Sequence, residues 1–176
     1  WINLEKLAET LETHGGALDL PGIRNRKTVD PRDKNSPPVI QLETAMGSAI
    51  ECFDSAGAIV VSRDRFMPVK TTSDLLVLRS DACEVRPGGR LALVPARGGI
   101  PPVVELDPAW YGMLDRFEEF LSRGAPSLRD CRKLSVAGPV SFESGVVIRG
   151  EVTVVNESGK PAPLKAGTYS DCRVTV

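Results

Sequence analysis

The chain has 176 residues, which suits one domain or a medium unit with a small appendage. Hydrophobic residues make up 41% and charged residues 26%, so a sizeable core can be buried and intrinsic disorder is not the expectation. The 22 basic residues nearly balance the 23 acidic ones, which excludes a broad electrostatic footprint for DNA or RNA and leaves any phosphate ligand to a few local groups.

In chain order, Asn3 is placed to cap a helix carrying Leu4, Leu7, Ala8 and Leu11 on one face, with Gly15-Gly16 as its stop. Residues 24–38 are polar, contain Pro31, Pro37 and Pro38, and read as a surface loop. Residues 39–42 read as a short strand. Ala45, Met46, Ala49, Ile50 and Phe53 then recur at helical spacing, and the apolar run 58–61 reads as a buried strand. Strand, helix and strand in that order predict an α/β layer.

Residues 62–72 form an irregular segment, after which Ser73 is expected to cap a short helix opening Asp74-Leu75-Leu76. Strands are expected at 91–94 and 103–106. Asp107-Pro108 is a strong helix start, predicting a helix over 108–123. Trp110, Leu114, Phe117, Phe120 and Leu121 form its apolar stripe, and Gly124 and Pro126 its stop.

From Leu134 the pattern changes. Leu134, Val140, Val146 and Val152 lie six residues apart, and Val136, Phe142, Ile148 and Val154 repeat that period two residues later. A six-residue period predicts a parallel β-helix, whose successive coils stack their apolar residues. A plain antiparallel meander is the alternative. The phase is lost at Ser158, so the tail with Pro161, Pro163 and Gly167 is expected to form a cap.

Few residues suggest chemistry. No Walker motif or GxGxxG is present, and His14 is the only histidine. Cys52, Cys83, Cys131 and Cys172 form no C-x-x-C pair, which argues against zinc and fits reduced thiols in a cytoplasmic protein. No apolar run approaches the roughly 18 residues of a membrane span, and no signal-peptide pattern opens the sequence. The segment worth most weight runs from residue 63 to 74. Pro68 stiffens it, Phe66 and Met67 are apolar, and Lys70 stands beside Thr71, Thr72 and Ser73, an arrangement suited to phosphate oxygens.

The run RDRFMPVKTTSDLLVLRSD resembles the late lysine motif of the eukaryotic-type UTP–glucose-1-phosphate uridylyltransferase (UDP-glucose pyrophosphorylase) family. VIQLETAMGSAIECF resembles the family's preceding strand and helix, and WINLEKL an earlier helix. ELDPAWYGMLDRFEEFL followed by LSVAGPVSFESGVVIRGEVTV resembles the family's linker helix and carboxy-terminal β-helix. Residues 27–36 and 86–102 depart from it.

The resemblance implies the end of a Rossmann-like α/β nucleotidyltransferase domain over 1–127 and a short parallel β-helix of left-handed type over 128–176. The implied reaction joins UTP and glucose 1-phosphate into UDP-glucose and pyrophosphate, with Lys70 stabilising phosphate charge and Phe66 lining the sugar side. Magnesium is expected in the complete enzyme, with ligands outside this chain. The family's glycine-rich nucleotide loop and metal-binding aspartate lie upstream of the matching region. Together with the opening at Trp1, this leads us to expect a piece of a longer protein, inactive alone. Two alternatives stay open: a non-catalytic β-helix interaction module, and a related pyrophosphorylase acting on another sugar 1-phosphate. Homo-oligomers through the β-helix or an exposed α/β face are expected, whereas nucleic acid and membrane partners are not.

Overall fold

In the computed structural model, which describes residues 1–62 and 66–176, helix α1 spans Leu4–Thr13. Asn3 caps it, its side chain accepting from the amides of Glu5 (3.0 Å) and Lys6 (3.2 Å). The described chain divides into two units, Trp1–Val61 and Ser62–Val176.

In the first unit, β1 (Gly22–Thr28) pairs antiparallel with β2 (Pro38–Thr44), in register from Gly22↔Thr44 to Thr28↔Pro38. The loop expected over 24–38 is therefore confined to the stretch between these strands. The basic run in β1 concealed the strand: Arg24 pairs with Leu42 and Arg26 with Ile40, so the apolar residues come from the partner. Met46–Cys52 is a 3-10 helix where an α-helix was expected. Ala45 offers no capping side chain, and Gly47 weakens the first turn. The buried strand expected over 58–61 does not form. Ile59 and Val60 are 82% and 96% exposed, because no neighbouring strand in this unit pairs with them. No residue of this unit is buried.

The second unit holds the core. Helix α2 spans Thr72–Arg79. Its cap is Thr71, not the expected Ser73. Strands β3 (Cys83–Arg86) and β4 (Arg90–Leu93) form a hairpin, and β5 spans Val103–Leu106. The helix expected over 108–123 is broken into α3 (Pro108–Tyr111) and α4 (Leu114–Phe120), because Met113 adopts an extended backbone. The break turns Leu114 outward, while Tyr111, Phe117 and Phe120 are buried. The Tyr111 and Phe120 rings lie 5.0 Å apart, and the Tyr111 hydroxyl donates to the carbonyl of Val140.

Five strands follow: β6 (Ser127–Ala137), β7 (Val140–Phe142), β8 (Val146–Val155), β9 (Ala162–Leu164) and β10 (Gly167–Thr175). One parallel sheet runs in the order β10-β8-β6-β5, and β7 pairs parallel with β9. Leu134 lies in register with Val152 and Val136 with Val154, so the apolar positions that recur in sequence stack in space. Both partners are buried in each pair. Val152 and Val154 align in turn with Cys172 and Val174. The tail beyond Ser158, expected to be a cap, therefore continues the parallel pairing through β9 and β10. Asn156 and the loop after it absorb the loss of phase.

Two glycines combine a positive φ with a close approach. Gly138 has φ of 82°, and a Cβ there would lie 2.0 Å from the carbonyl oxygen of Asn156. Gly150 has φ of 60°, and its Cβ would lie 2.1 Å from Oδ1 of Asp171. Among the described residues no helix is long and apolar enough to cross a membrane.

Candidate functional site

The candidate segment enters α2 through a capping box. Oδ2 of Asp74 accepts from the Thr71 amide and from the Thr71 hydroxyl, both at 2.8 Å, and the Asp74 amide donates to Thr71 Oγ1 at 3.3 Å. The same Oδ2 also accepts from the Lys70 amide at 3.0 Å. Burial pushes the Asp74 carboxyl up. The Thr71 hydroxyl, the Lys70 and Thr71 amides and the Lys70 charge outweigh it, holding the group below the usual carboxylate range.

Helix α2 is fastened along its length. Leu76 is fully buried. In the first turn, Ser73 Oγ accepts from the amide of Leu106 in β5 at 3.1 Å. Near the other end, Arg79 pairs with Glu118 of α4 and lies over the Phe117 ring, 5.7 Å from its centroid. Just past the helix, Asp81 accepts from Ser127 Oγ (2.6 Å) and from the amides of Leu128 (2.8 Å) and Arg129 (3.1 Å) in β6. The lysine-bearing turn thus stands on a helix tied to the parallel sheet at both ends.

Residues 66–69, α2 and the β3–β4 hairpin enclose a cleft of about 550 Å³. Phe66 and Asp74 line it, with Arg86 and Arg90 on the hairpin side. Arg86 is in part committed, its Nε donating to Glu84 Oε1 at 2.9 Å. Lys70 does not line this cleft and is exposed. The two candidate residues therefore share a loop without sharing a cavity. Arg63, the first residue of the candidate segment, lies outside the described residues.

Sequence reasoning assigned Asp74 only to the helix dipole and missed its bonds to the lysine turn. The signal was legible: threonine and aspartate three residues apart before an apolar run is a capping pattern. Arg86 and Arg90 had no such signal, since only the hairpin brings them to the cleft. All four cysteines are free. Burial pushes the Cys131 thiol up to about 11 against the opposing charge of Arg97, so it stays protonated near neutral pH and is a poor nucleophile. Among the described residues, no group of three or more His, Cys, Asp or Glu gathers to hold a metal ion.

The sequence profile of the family described as UTP--glucose-1-phosphate uridylyltransferase matches residues 1–149. The chain belongs to that family. The uridylyltransferase of Solanum tuberosum is 40% identical over 168 residues, covering 95% of this chain and 33% of the relative. That of Encephalitozoon cuniculi is 38% identical, covering 88% and 30%. The UDP-glucose pyrophosphorylase of Leishmania major is similar in structure with a TM-score of 0.88 at 48% identity, over all of this chain and 37% of that one. A mutant of the same enzyme has been solved in complex with UDP-glucose. A Trypanosoma brucei structure described as UDP-glucose phosphorylase gives a TM-score of 0.93 at 46% identity, over all of this chain and 39% of that one. The chain thus spans about a third of the length of the curated relatives it matches.

Proposed function

We propose that this chain forms part of a uridylyltransferase that joins UTP and glucose 1-phosphate into UDP-glucose and pyrophosphate. An oxygen of the sugar phosphate attacks the α-phosphorus of UTP, and the bond from that phosphorus to the departing pyrophosphate breaks. Such a displacement needs positioning and charge neutralisation more than covalent help from the protein. Lys70 supplies a fixed positive charge to the phosphate oxygens. Phe66, 56% exposed, offers an apolar surface to the sugar side.

The observation that carries this reading is the mounting of Lys70. In a chain of this family, the lysine turn is fixed by a capping box onto a helix bonded to the sheet. Magnesium ligands are expected outside this chain. The test is Lys70→Ala in a full-length polypeptide carrying this segment, assayed with UTP and glucose 1-phosphate. Turnover falls by about 10²–10³-fold with the fold retained; near-normal turnover rejects the assignment. The chain alone is expected to be inactive, and to gain activity when the rest of the polypeptide is added.

Several finer readings accompany this. The pairing of Leu134 with Val152 and of Val136 with Val154, partners that share the hexad phase, supports a short parallel β-helix, of left-handed type, over 128–176. Residues 1–127 are assigned to the nucleotidyltransferase domain, with β5 extending the parallel sheet back across that boundary. The exposed Ile40 and Leu42 of the first unit support an apolar face that a second copy could cover. Free thiols fit a cytoplasmic setting.

A further inference from the structure

We infer that Asp74 is the positioning residue for Lys70, holding the backbone from which the lysine projects. The inference rests on the reading of Lys70 as the phosphate-facing cation. An ordinary capping box satisfies the amide of the cap residue and that of the third helical residue. Here one carboxylate oxygen also takes the Lys70 amide, at 3.0 Å, one residue outside the cap. That bond is more than the helix requires, and it falls on the residue that carries the charge. Two consecutive amides converging on one oxygen fix the peptide between Lys70 and Thr71. The base of the lysine side chain then has one direction.

The same bonds decide how an anion is met. A helix amino terminus ordinarily offers its free amides to a phosphate. At α2 the amides of Lys70, Thr71 and Asp74 are already engaged, the first two by Asp74 and the third by Thr71. A phosphate is therefore met by the Lys70 ammonium and not by those amides. The depressed carboxyl of Asp74 keeps the group ionised in the neutral range, so the bonds persist where the reaction runs.

The experiment is a double-mutant cycle in a full-length polypeptide carrying this segment, with Lys70→Ala, Asp74→Ala and the pair, each assayed for kcat and KM. Asp74→Ala is expected to lower kcat by about 10–100-fold with KM changed less than about threefold, since a misdirected cation loses transition-state contact. In the Lys70→Ala background the same change should cost less than about threefold, because the group it positions is gone. An equal cost in both backgrounds overturns the inference, showing that Asp74 acts only through general stability. Near-normal turnover of Lys70→Ala overturns the underlying reading itself, a result distinct from the first. Asp74→Asn keeps one acceptor oxygen and guards against a folding defect in the alanine variant. It should lose less kcat than Asp74→Ala, and an equal loss counts against the inference.

Discussion

The side-chain amide of Asn156 donates to the carbonyl of Pro139 at 2.7 Å, joining two turns of the parallel stack. It donates also to the Lys160 carbonyl at 2.8 Å, while its oxygen accepts from the amide (3.0 Å) and hydroxyl (2.7 Å) of Ser158. Every polar atom of this buried side chain is thus engaged, and a six-residue excursion is held against the stack without a regular element. Asn156→Ala leaves the carbonyl of Pro139 without this donor and releases the loop. We expect a loss of about 2–3 kcal/mol, read as a lower urea midpoint at unchanged slope.

Gly150 and Gly159 give a controlled comparison. Both have positive φ, but only at Gly150 would a Cβ collide, with the carboxylate of Asp171. That carboxylate accepts from the Glu151 amide at 2.9 Å and from Arg132 at 3.2 Å, so moving aside breaks a corner bond. Gly159→Ala should cost about 1 kcal/mol, from the left-handed backbone alone. Gly150→Ala should cost about 2–3 kcal/mol. Chemical denaturation of the two variants settles the order.

Phe142 is fully buried, whereas Leu42 is 74% exposed. Phe142→Ala should destabilise the chain by about 3–5 kcal/mol through lost burial and the cavity left behind. Leu42→Ala should stay within about 0.5 kcal/mol. Comparable losses at the two sites would contradict the assignment of the core to the second unit.

Acid should release the Asp74 capping box. The folded-state carboxyl lies below its ordinary value, so its stabilising contribution is present above the unfolded value of about 3.9 and is lost as pH falls through the folded one. Denaturation midpoints of the native chain and Asp74→Ala, compared from pH 6 to pH 3, should differ at the upper end and converge at the lower. A constant difference would mean that ionisation of Asp74 is irrelevant to the cap.

Much of the carboxy-terminal half was legible because its signals are local or periodic. The six-residue recurrence of Leu134, Val140 and Val146 marks positions that the fold buries. Asp107-Pro108 opens a helix where expected. What failed was judged by composition. The β1 strand carries Arg24, Arg26 and Lys27 and shows itself only through its partner. Residues 58–61 are apolar enough for a buried strand, but burial needs a neighbour, and the first unit supplies none. The Met113 break in the long helix was not foreseen, since Trp110, Leu114 and Phe117 keep helical spacing across it. At the candidate site, Lys70 and Phe66 were singled out by motif resemblance. The bond from Lys70 to Asp74 was not foreseen, because it depends on a helix that starts two residues earlier than the serine suggested.

Every buried residue lies in Ser62–Val176, and this governs how heat would take the chain apart. Cooperative melting draws its enthalpy from packed residues, at about 0.7 kcal/mol per residue near 60 °C. A calorimetric transition should therefore carry roughly 80 kcal/mol, the value for the about 115 residues of the second unit, and not the roughly 120 kcal/mol of all 176. A melting temperature measured on this chain is thus a property of the stack and α2, and is silent about the amino-terminal hairpin.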